Sequence, residues 1–98
     1  MKVRFEDDSL EEIYTNPMAD DGFVPVLVKA FRKRMQFIDS AKDERDFRSW
    51  RSLRFEKLRG NRSHQYSLRL NDQYRLIIEF EGEAADKVVV IVSIEDYH

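Results

Sequence analysis

Two short runs of alternating apolar and polar residues, at residues 66–70 and 74–78, form the clearest pattern in the chain. Such alternation predicts a β-hairpin in which the apolar positions of both strands share one face. Residues 71–73 between the runs are all polar, as a turn requires. A three-residue turn pairs Leu68 with Leu76 and makes one face uniformly apolar, whereas a two-residue turn mixes the faces.

The same register places Arg69 directly opposite Arg75 on the other face of the hairpin, which we expect to be exposed. Like charges that face each other across a strand pair destabilise a sheet. Proteins usually keep such residues apart or provide an anion for them to bind. The pair is therefore the first indication of an anion-binding function.

The N-terminal half of the chain carries helical patterns. Residues 2–5 alternate as a short opening strand, and residues 9–14 predict one or two helical turns that end at Asn16 and Pro17. Apolar residues then recur at helical spacing from Val24 to about Ala41, with Pro25 in the first turn. The opposite face of this helix is basic; we interpret it as solvated surface, with nucleic-acid binding as the alternative. Residues 42–47 add a further helical turn.

The C-terminal half predicts the remaining strands. Residues 53–59 alternate in polarity and indicate a strand that ends at Gly60. Residues 88–94 are almost entirely β-branched, which is typical of a central strand buried on both faces. With no visible linker or repeat, residues 1–98 predict a single α+β domain. Its helices pack on one face of a curved, largely antiparallel sheet.

The net charge of −2 hides a strong segregation of charge. Residues 1–28 carry two basic and seven acidic groups, and residues 76–98 carry one basic and six acidic groups, so each end is −5. The middle, residues 29–75, carries fourteen basic and six acidic groups and is +8. A polyanion would be attracted to this middle segment despite the overall sign.

Several classes of function are disfavoured by composition. The chain has no Cys, which excludes disulfides and zinc–thiolate sites. It has two His residues without metal-binding spacing and no Gly-rich phosphate loop, so we expect no metal and no cofactor. No apolar run approaches the length of a signal core or a membrane span, and we expect a cytoplasmic protein without membrane contact.

Ionisable residues follow directly after the last predicted strand, at Asp96, Tyr97 and His98. Together with arginines, such groups suit metal-free cleavage of RNA, in which the 2′-hydroxyl is the nucleophile. The enzyme then needs to accept one proton, stabilise a phosphorane and protonate the leaving oxygen. Guanidinium groups suit the phosphorane because they are planar and permanently charged, and a His suits the proton transfers.

Three motifs in order resemble the HigB-type toxins of bacterial toxin–antitoxin systems, which belong to the RelE/ParE superfamily. They are Leu-Arg-Gly-Asn-Arg at residues 58–62, the segment from Gln65 to Arg75, and Glu-Asp-Tyr-His at residues 95–98. The match is closest over residues 44–98. The resemblance implies a RelE-like fold and an endoribonuclease that cuts messenger RNA on the ribosome. It also implies a HigA-type helix-turn-helix antitoxin, through which the complex binds operator DNA.

The resemblance also assigns the candidate site. It implies a site made of Arg75, Gln73, Asp96, Tyr97 and His98, with Arg59 at a basic position of the family. The hairpin register adds Arg69, and the RNA-binding set is completed by Lys57 and Arg62. Some members carry a His where this chain has Glu56. Either Glu56 replaces that His as the base, or the chain relies on its terminal residues alone.

Two other functions remain open from the sequence. ParE relatives are non-catalytic poisons of protein targets such as gyrase, but they lack the terminal acid–Tyr–His group that is present here. A degenerate toxin, retained only as an antitoxin-binding co-repressor, is the second alternative.

Overall fold

The computed structural model describes residues 1–83 and 86–96, and within them the chain forms one five-stranded sheet and three α-helices. The strands are β1 (Lys2–Phe5), β2 (Glu56–Lys57), β3 (Gln65–Arg69), β4 (Tyr74–Glu81) and β5 (Val88–Asp96). The helices are α1 (Asp8–Thr15), α2 (Pro25–Ser40) and α3 (Glu44–Ser49). No helix in this part of the chain combines the length and apolar character needed to cross a membrane.

The strand order is β1-β5-β4-β3-β2, so the first and last strands of the chain are neighbours. Strand β1 runs parallel to β5, and every other pair is antiparallel. The largely antiparallel sheet that the sequence predicts is therefore confirmed. Strand β5 lies between β1 and β4, and Val89, Val90 and Ile91 are all buried, so its predicted central position is also confirmed.

The helices and one face of the sheet enclose the core. From α2, Phe31, Met35 and Ile38 are fully buried at spacings of four and three residues, which places them on one stripe of the helix. They join the buried residues Leu68 and Leu76 of the hairpin in one cluster. The other sheet face, opposite this cluster, is called the polar face below.

The hairpin has the predicted register. Leu68 pairs with Leu76, and Arg69 pairs with Arg75. The backbone N–H of Leu70 donates to the carbonyl of Tyr74 at 2.9 Å, which closes the three-residue turn. The two arginines therefore lie side by side on the polar face.

Asn71 shapes this turn. Its side-chain oxygen accepts hydrogen bonds from the backbone N–H groups of Gln73 at 2.9 Å and Tyr74 at 2.8 Å. A short polar side chain that bonds the backbone two and three residues ahead mimics a backbone turn. Asn71 thereby helps to fix the register on which the arginine pair depends.

The strand predicted at residues 53–59 is wrong in most of its length, because only Glu56–Lys57 pair in the sheet. Residues Arg51–Leu53 instead form a short 3₁₀ turn that buries Leu53. Arg54 then adopts a left-handed conformation with φ +49°, which ends any extended pairing. The helical turn predicted at residues 42–47 is found as α3, Glu44–Ser49, the third α-helix among the described residues.

A bulge in β5 was not predicted. Ile78 of β4 pairs with Ile91, but Ile77 pairs with Ser93, so the register skips Val92. An extra residue reverses the alternation of all later side chains in the strand. As a result Glu95, rather than an apolar residue, lies opposite Arg75 on the polar face.

The basic face of α2 is less solvated than the sequence indicates. The Arg32 guanidinium donates to the carbonyls of Ile13, Asn16 and Ala19 at 2.9–3.1 Å, around the C-terminal end of α1 and the loop after it. Arg34 is buried, and its Nε donates to the carbonyl of Arg69 at 2.9 Å. These two arginines hold the fold together, because each binds backbone carbonyls of another segment.

We predict that Asn71→Ala lowers the free energy of unfolding by about 1 kcal/mol, because two turn N–H groups lose their acceptor. Urea denaturation would measure the change. Asp72→Ala is the matched control in the same turn: the Asp72 side chain is 97% exposed, and we expect a change within about 0.5 kcal/mol. Equal effects of the two substitutions would contradict the role given to Asn71.

Candidate active site

Arg75 lies at the centre of the polar face. Its side chain is 13% exposed, so the exposed position expected from the sequence is wrong for this residue. Its Nη1 donates to the buried hydroxyl of Ser67 at 3.0 Å and lies 3.5 Å from a carboxylate oxygen of Glu56. Ser67 thus holds the guanidinium from a diagonal position on β3, and Glu56 brings a carboxylate from the edge strand.

Three arginines converge on one cavity. Arg54, Arg69 and Arg75 line a space of about 200 Å³, together with Asn71 and Asp72. Arg69 forms an ion pair with the exposed carboxylate of Asp72. Arg54 was not among the predicted site residues: it reaches this cavity from the left-handed turn that replaces the predicted strand, and the sequence carries no signal for that turn.

The buried Arg34 adds positive charge next to Arg69, one of the arginines that line this cavity. Burial, and secondarily the charge of Arg69, lowers the pKa of the Arg34 guanidinium below its usual value. Arginine nevertheless stays charged in proteins because its ordinary pKa is so high. Positive charge that is crowded and partly desolvated favours an anionic ligand.

A second cavity adjoins Arg75 on its other side. It has a volume of about 260 Å³, and its polar lining comprises Glu56, Arg62, Ser67, Arg75, Glu95 and Asp96. Gln73 Nε2 donates to Asp96 Oδ2 at 3.0 Å, which ties the hairpin turn to the end of β5. Arg75 therefore separates an arginine-lined cavity from one that carries three carboxylates.

Arg62 and Glu95 form a bidentate ion pair in the lining of the second cavity. The Arg62 guanidinium donates to the two Glu95 oxygens at 3.0 and 2.7 Å, and the Ser93 hydroxyl adds a bond of 3.1 Å. The hydrogen bond from Arg62 lowers the pKa of the Glu95 carboxyl below its ordinary value. The carboxylate that the bulge places opposite Arg75 is thus held by Arg62, and sequence reasoning missed its role.

The other predicted residues are more scattered. Lys57 and Arg59 are exposed on and after the edge strand β2, and neither lines the two cavities around Arg75. Tyr97 and His98 lie outside the described residues. Among the residues that are described, no group of three or more His, Cys, Asp or Glu side chains is arranged to hold a metal ion.

The fold resembles those of solved bacterial toxins. A YoeB/ParE toxin from Agrobacterium tumefaciens aligns over all of both chains, with a TM-score of 0.61 and 13% identity. The YoeB–YefM complex from Staphylococcus aureus aligns over all of this chain and 97% of its own chain, with a TM-score of 0.59 and 21% identity. The architecture is therefore that of the RelE-like toxins.

The sequence narrows this class to one family. A family model described as the RelE-like toxin HigB of type II toxin–antitoxin systems matches residues 3–98, and the chain belongs to that family. Toxin HigB-1 of Vibrio cholerae serotype O1 is 32% identical over 80 residues, which cover 82% of this chain and 84% of that protein. The predicted resemblance to HigB-type toxins is confirmed.

We predict that the Arg62–Glu95 pair stabilises the fold at neutral pH and not in acid. The folded-state pKa of Glu95 lies below its ordinary value of 4.5, so this contribution is present above that pH. It is lost as the pH falls through the folded-state pKa. A double-mutant cycle with Arg62→Gln and Glu95→Gln, measured by urea denaturation, should show coupling at pH 7 that disappears once Glu95 is protonated.

The exchange Lys33→Gln provides a control for the loss of one exposed positive charge. Coupling between residues 62 and 95 that is independent of pH would contradict an ionic pair.

Proposed function

We propose that this toxin is a ribosome-dependent endoribonuclease that cuts messenger RNA and so inhibits translation. The observation that carries the proposal is the convergence of Arg54, Arg69 and Arg75 on one cavity, beside a second cavity that holds carboxylates. The first offers sites for the phosphates of a nucleic acid, and the second offers groups for proton transfer.

The proposed reaction is attack of the ribose 2′-oxygen on the adjacent phosphorus. The new O2′–P bond forms as the P–O5′ bond breaks, which gives a 2′,3′-cyclic phosphate and a free 5′-hydroxyl. The 2′-hydroxyl proton passes to a base, and an acid donates a proton to the leaving 5′-oxygen. The nucleophile is part of the substrate, so the protein only positions the RNA, stabilises negative charge and moves protons.

Arg75 is assigned to stabilise the negative charge of the phosphorane. Its hydrogen bond to Ser67 and its low exposure fix the guanidinium in place before substrate arrives, which is the condition for effective charge stabilisation. Arg54 and Arg69 then bind the neighbouring phosphate. Gln73, which is hydrogen-bonded to Asp96, is assigned to contact the RNA from the hairpin turn. Lys57 and Arg59 are assigned to bind phosphates farther along the RNA.

Glu56 is the candidate base, since a carboxylate oxygen 3.5 Å from Arg75 lies next to the proposed phosphate position. His98 is the candidate acid, and Tyr97 is assigned to a phosphate oxygen or to stacking on a base. Asp96 is assigned to orient His98. Family membership supports the roles at residues 96–98.

The partners follow from the family and the charge distribution. Membership of the HigB family supports a HigA-type antitoxin that neutralises the toxin and links it to operator DNA. The segment of residues 29–75, with a net charge of +8, supports association with ribosomal RNA. A toxin that acts on the ribosome would act in the cytoplasm.

We expect Arg75→Ala to reduce the rate of cleavage by about 10²–10³-fold, because a preorganised cationic donor is lost. Single-turnover cleavage of a reporter message on purified, programmed ribosomes would measure it. Arg75→Lys should recover only part of the rate, since an ammonium group lacks the planar fork. Arg45→Ala is the control, because that guanidinium is 89% exposed on α3 and lies outside both cavities.

The Arg75 variants should remain folded by circular dichroism and should still bind antitoxin. Cleavage by Arg75→Ala at the normal rate would remove this residue from the mechanism. A wild-type chain that binds antitoxin but never cleaves would identify the degenerate toxin instead.

We expect His98→Ala to reduce cleavage by about 10²–10⁴-fold, as the loss of a general acid or base does. The same ribosome assay, run across pH, would report the rate and its pH profile. His64→Ala is the matched control, because His64 is the other of the two histidines. We expect this substitution to change neither the cleavage rate nor its pH profile. An unchanged rate for His98→Ala would exclude His98 from proton transfer.

A further inference from the structure

Large exposed apolar side chains lie at the start of α2 and in the segments on either side of it. In the described part of the chain, four such residues are exposed: Met18 by 89%, Val26 by 68%, Val24 by 58% and Trp50 by 40%. Single exposed apolar residues are ordinary, but a group of them on one surface marks an interaction site. None of the four belongs to the core cluster, so their exposure calls for another explanation.

Two grooves run along this part of α2, one on each side of the ridge formed by Lys29 and Lys33. The first, of about 630 Å³, lies between α2 and the loop that carries Met18. The second, of about 370 Å³, lies between α2 and the hairpin, with Val26, Ala30, Trp50 and Leu70 in its lining. Both grooves are lined by Lys29 and Lys33.

The first groove is a built feature of the fold. Arg32 crosses from α2 and donates to the carbonyls of Asn16, Pro17 and Ala19 at 2.9–3.2 Å. These bonds hold the loop at a fixed distance from the helix. Met18 projects from this anchored loop and remains exposed.

The charges around both grooves have nearly one sign. Residues 22–38 contain four basic residues and no acidic residue. In the lining of the two grooves, Asp20 is the one acid among the residues that the structure describes. Lys29 also lies near the positive end of the α2 dipole, whose first turn contains no acidic side chain. Carboxylates from a partner would relieve the repulsion among these basic side chains.

We propose that this α2 surface, comprising Met18, Val24, Val26, Lys29, Lys33 and Trp50, docks an acidic amphipathic segment of the antitoxin. The occupant combines apolar side chains for the grooves with carboxylates for Lys29 and Lys33. The inference rests on the proposed function in one respect, namely that an antitoxin is the partner.

A protein fits this surface better than RNA does. The exposed aliphatic side chains of Val24 and Val26 offer nothing to a phosphate backbone. Trp50 is not an open stacking platform, because its ring already packs against Phe37 at 4.8 Å and the Arg34 guanidinium at 5.4 Å. Burial of the aliphatic groups is favourable only against other apolar groups.

The docking surface and the candidate active site are largely separate. None of the residues that line the first groove lines a cavity around Arg75, and the second groove shares only Arg69 with them. Neutralisation and toxicity should therefore be separable by substitution.

The test uses Val26→Asp, the double variant Lys29→Glu/Lys33→Glu, and a charge-matched control, Lys42→Glu/Arg45→Glu, whose residues are exposed outside the surface. The purified variants are titrated with the antitoxin encoded beside the toxin gene, and folding is checked by thermal unfolding. We expect both test variants to bind about 30-fold more weakly or worse, and the control to bind normally. In cells, the test variants should remain toxic when antitoxin is co-expressed.

Normal antitoxin affinity of folded Val26→Asp and of the double variant would overturn the proposal. Normal antitoxin affinity with weakened ribosome binding would assign the surface to RNA and overturn it equally. The titration needs no cleavage, so it gives a result even where the endonuclease proposal fails.

Discussion

The polar face of the sheet depends on the alignment of two positive charges, Arg69 and Arg75, across one strand pair. The apolar alternation of the hairpin and the Asn71 turn fix this alignment, because a slip by one residue would expose Leu68 and Leu76 or bury their charged neighbours. The cost of the like-charge pair is thus imposed by the burial of the core. The proposed function uses this enforced pair of positive charges to bind an anion.

The surrounding residues make the repulsion tolerable without cancelling it. Asp72 pairs with Arg69 at the exposed end, and Ser67 and Glu56 contact Arg75. Glu95 lies opposite Arg75 in the register, yet its carboxylate is held by Arg62 and Ser93. In the cavity that Arg54, Arg69 and Arg75 line, positive charge therefore still exceeds the charge of its one carboxylate, Asp72, and this is where the proposal puts a phosphate.

Much of the fold was predictable because burial leaves a periodic signal. The hairpin register, the α2 stripe and the β5 position follow from such periods. The bulge at Val92 and the left-handed backbone of Arg54 produce no periodic pattern in the sequence. The positions of Glu95 and Arg54 at the candidate site were therefore not predicted. Leu53 and Phe55 alternate with polar residues, as in a strand. A 3₁₀ turn at Arg51–Leu53 also buries Leu53, so the alternation alone does not distinguish a strand from this turn. The predictions for Tyr97 and His98 rest on their position after the last predicted strand and on family resemblance.

In the proposed function, the arginine-lined face acts on messenger RNA during translation. The most direct measurement maps RNA 5′ ends in cells after induction of the chain, on two copies of one transcript that differ only in a functional start site for translation. We expect new 5′ ends within the coding region of the translated copy and none in the untranslated copy. Equal cleavage of both copies, or no cleavage in growth-arrested cells, would contradict it.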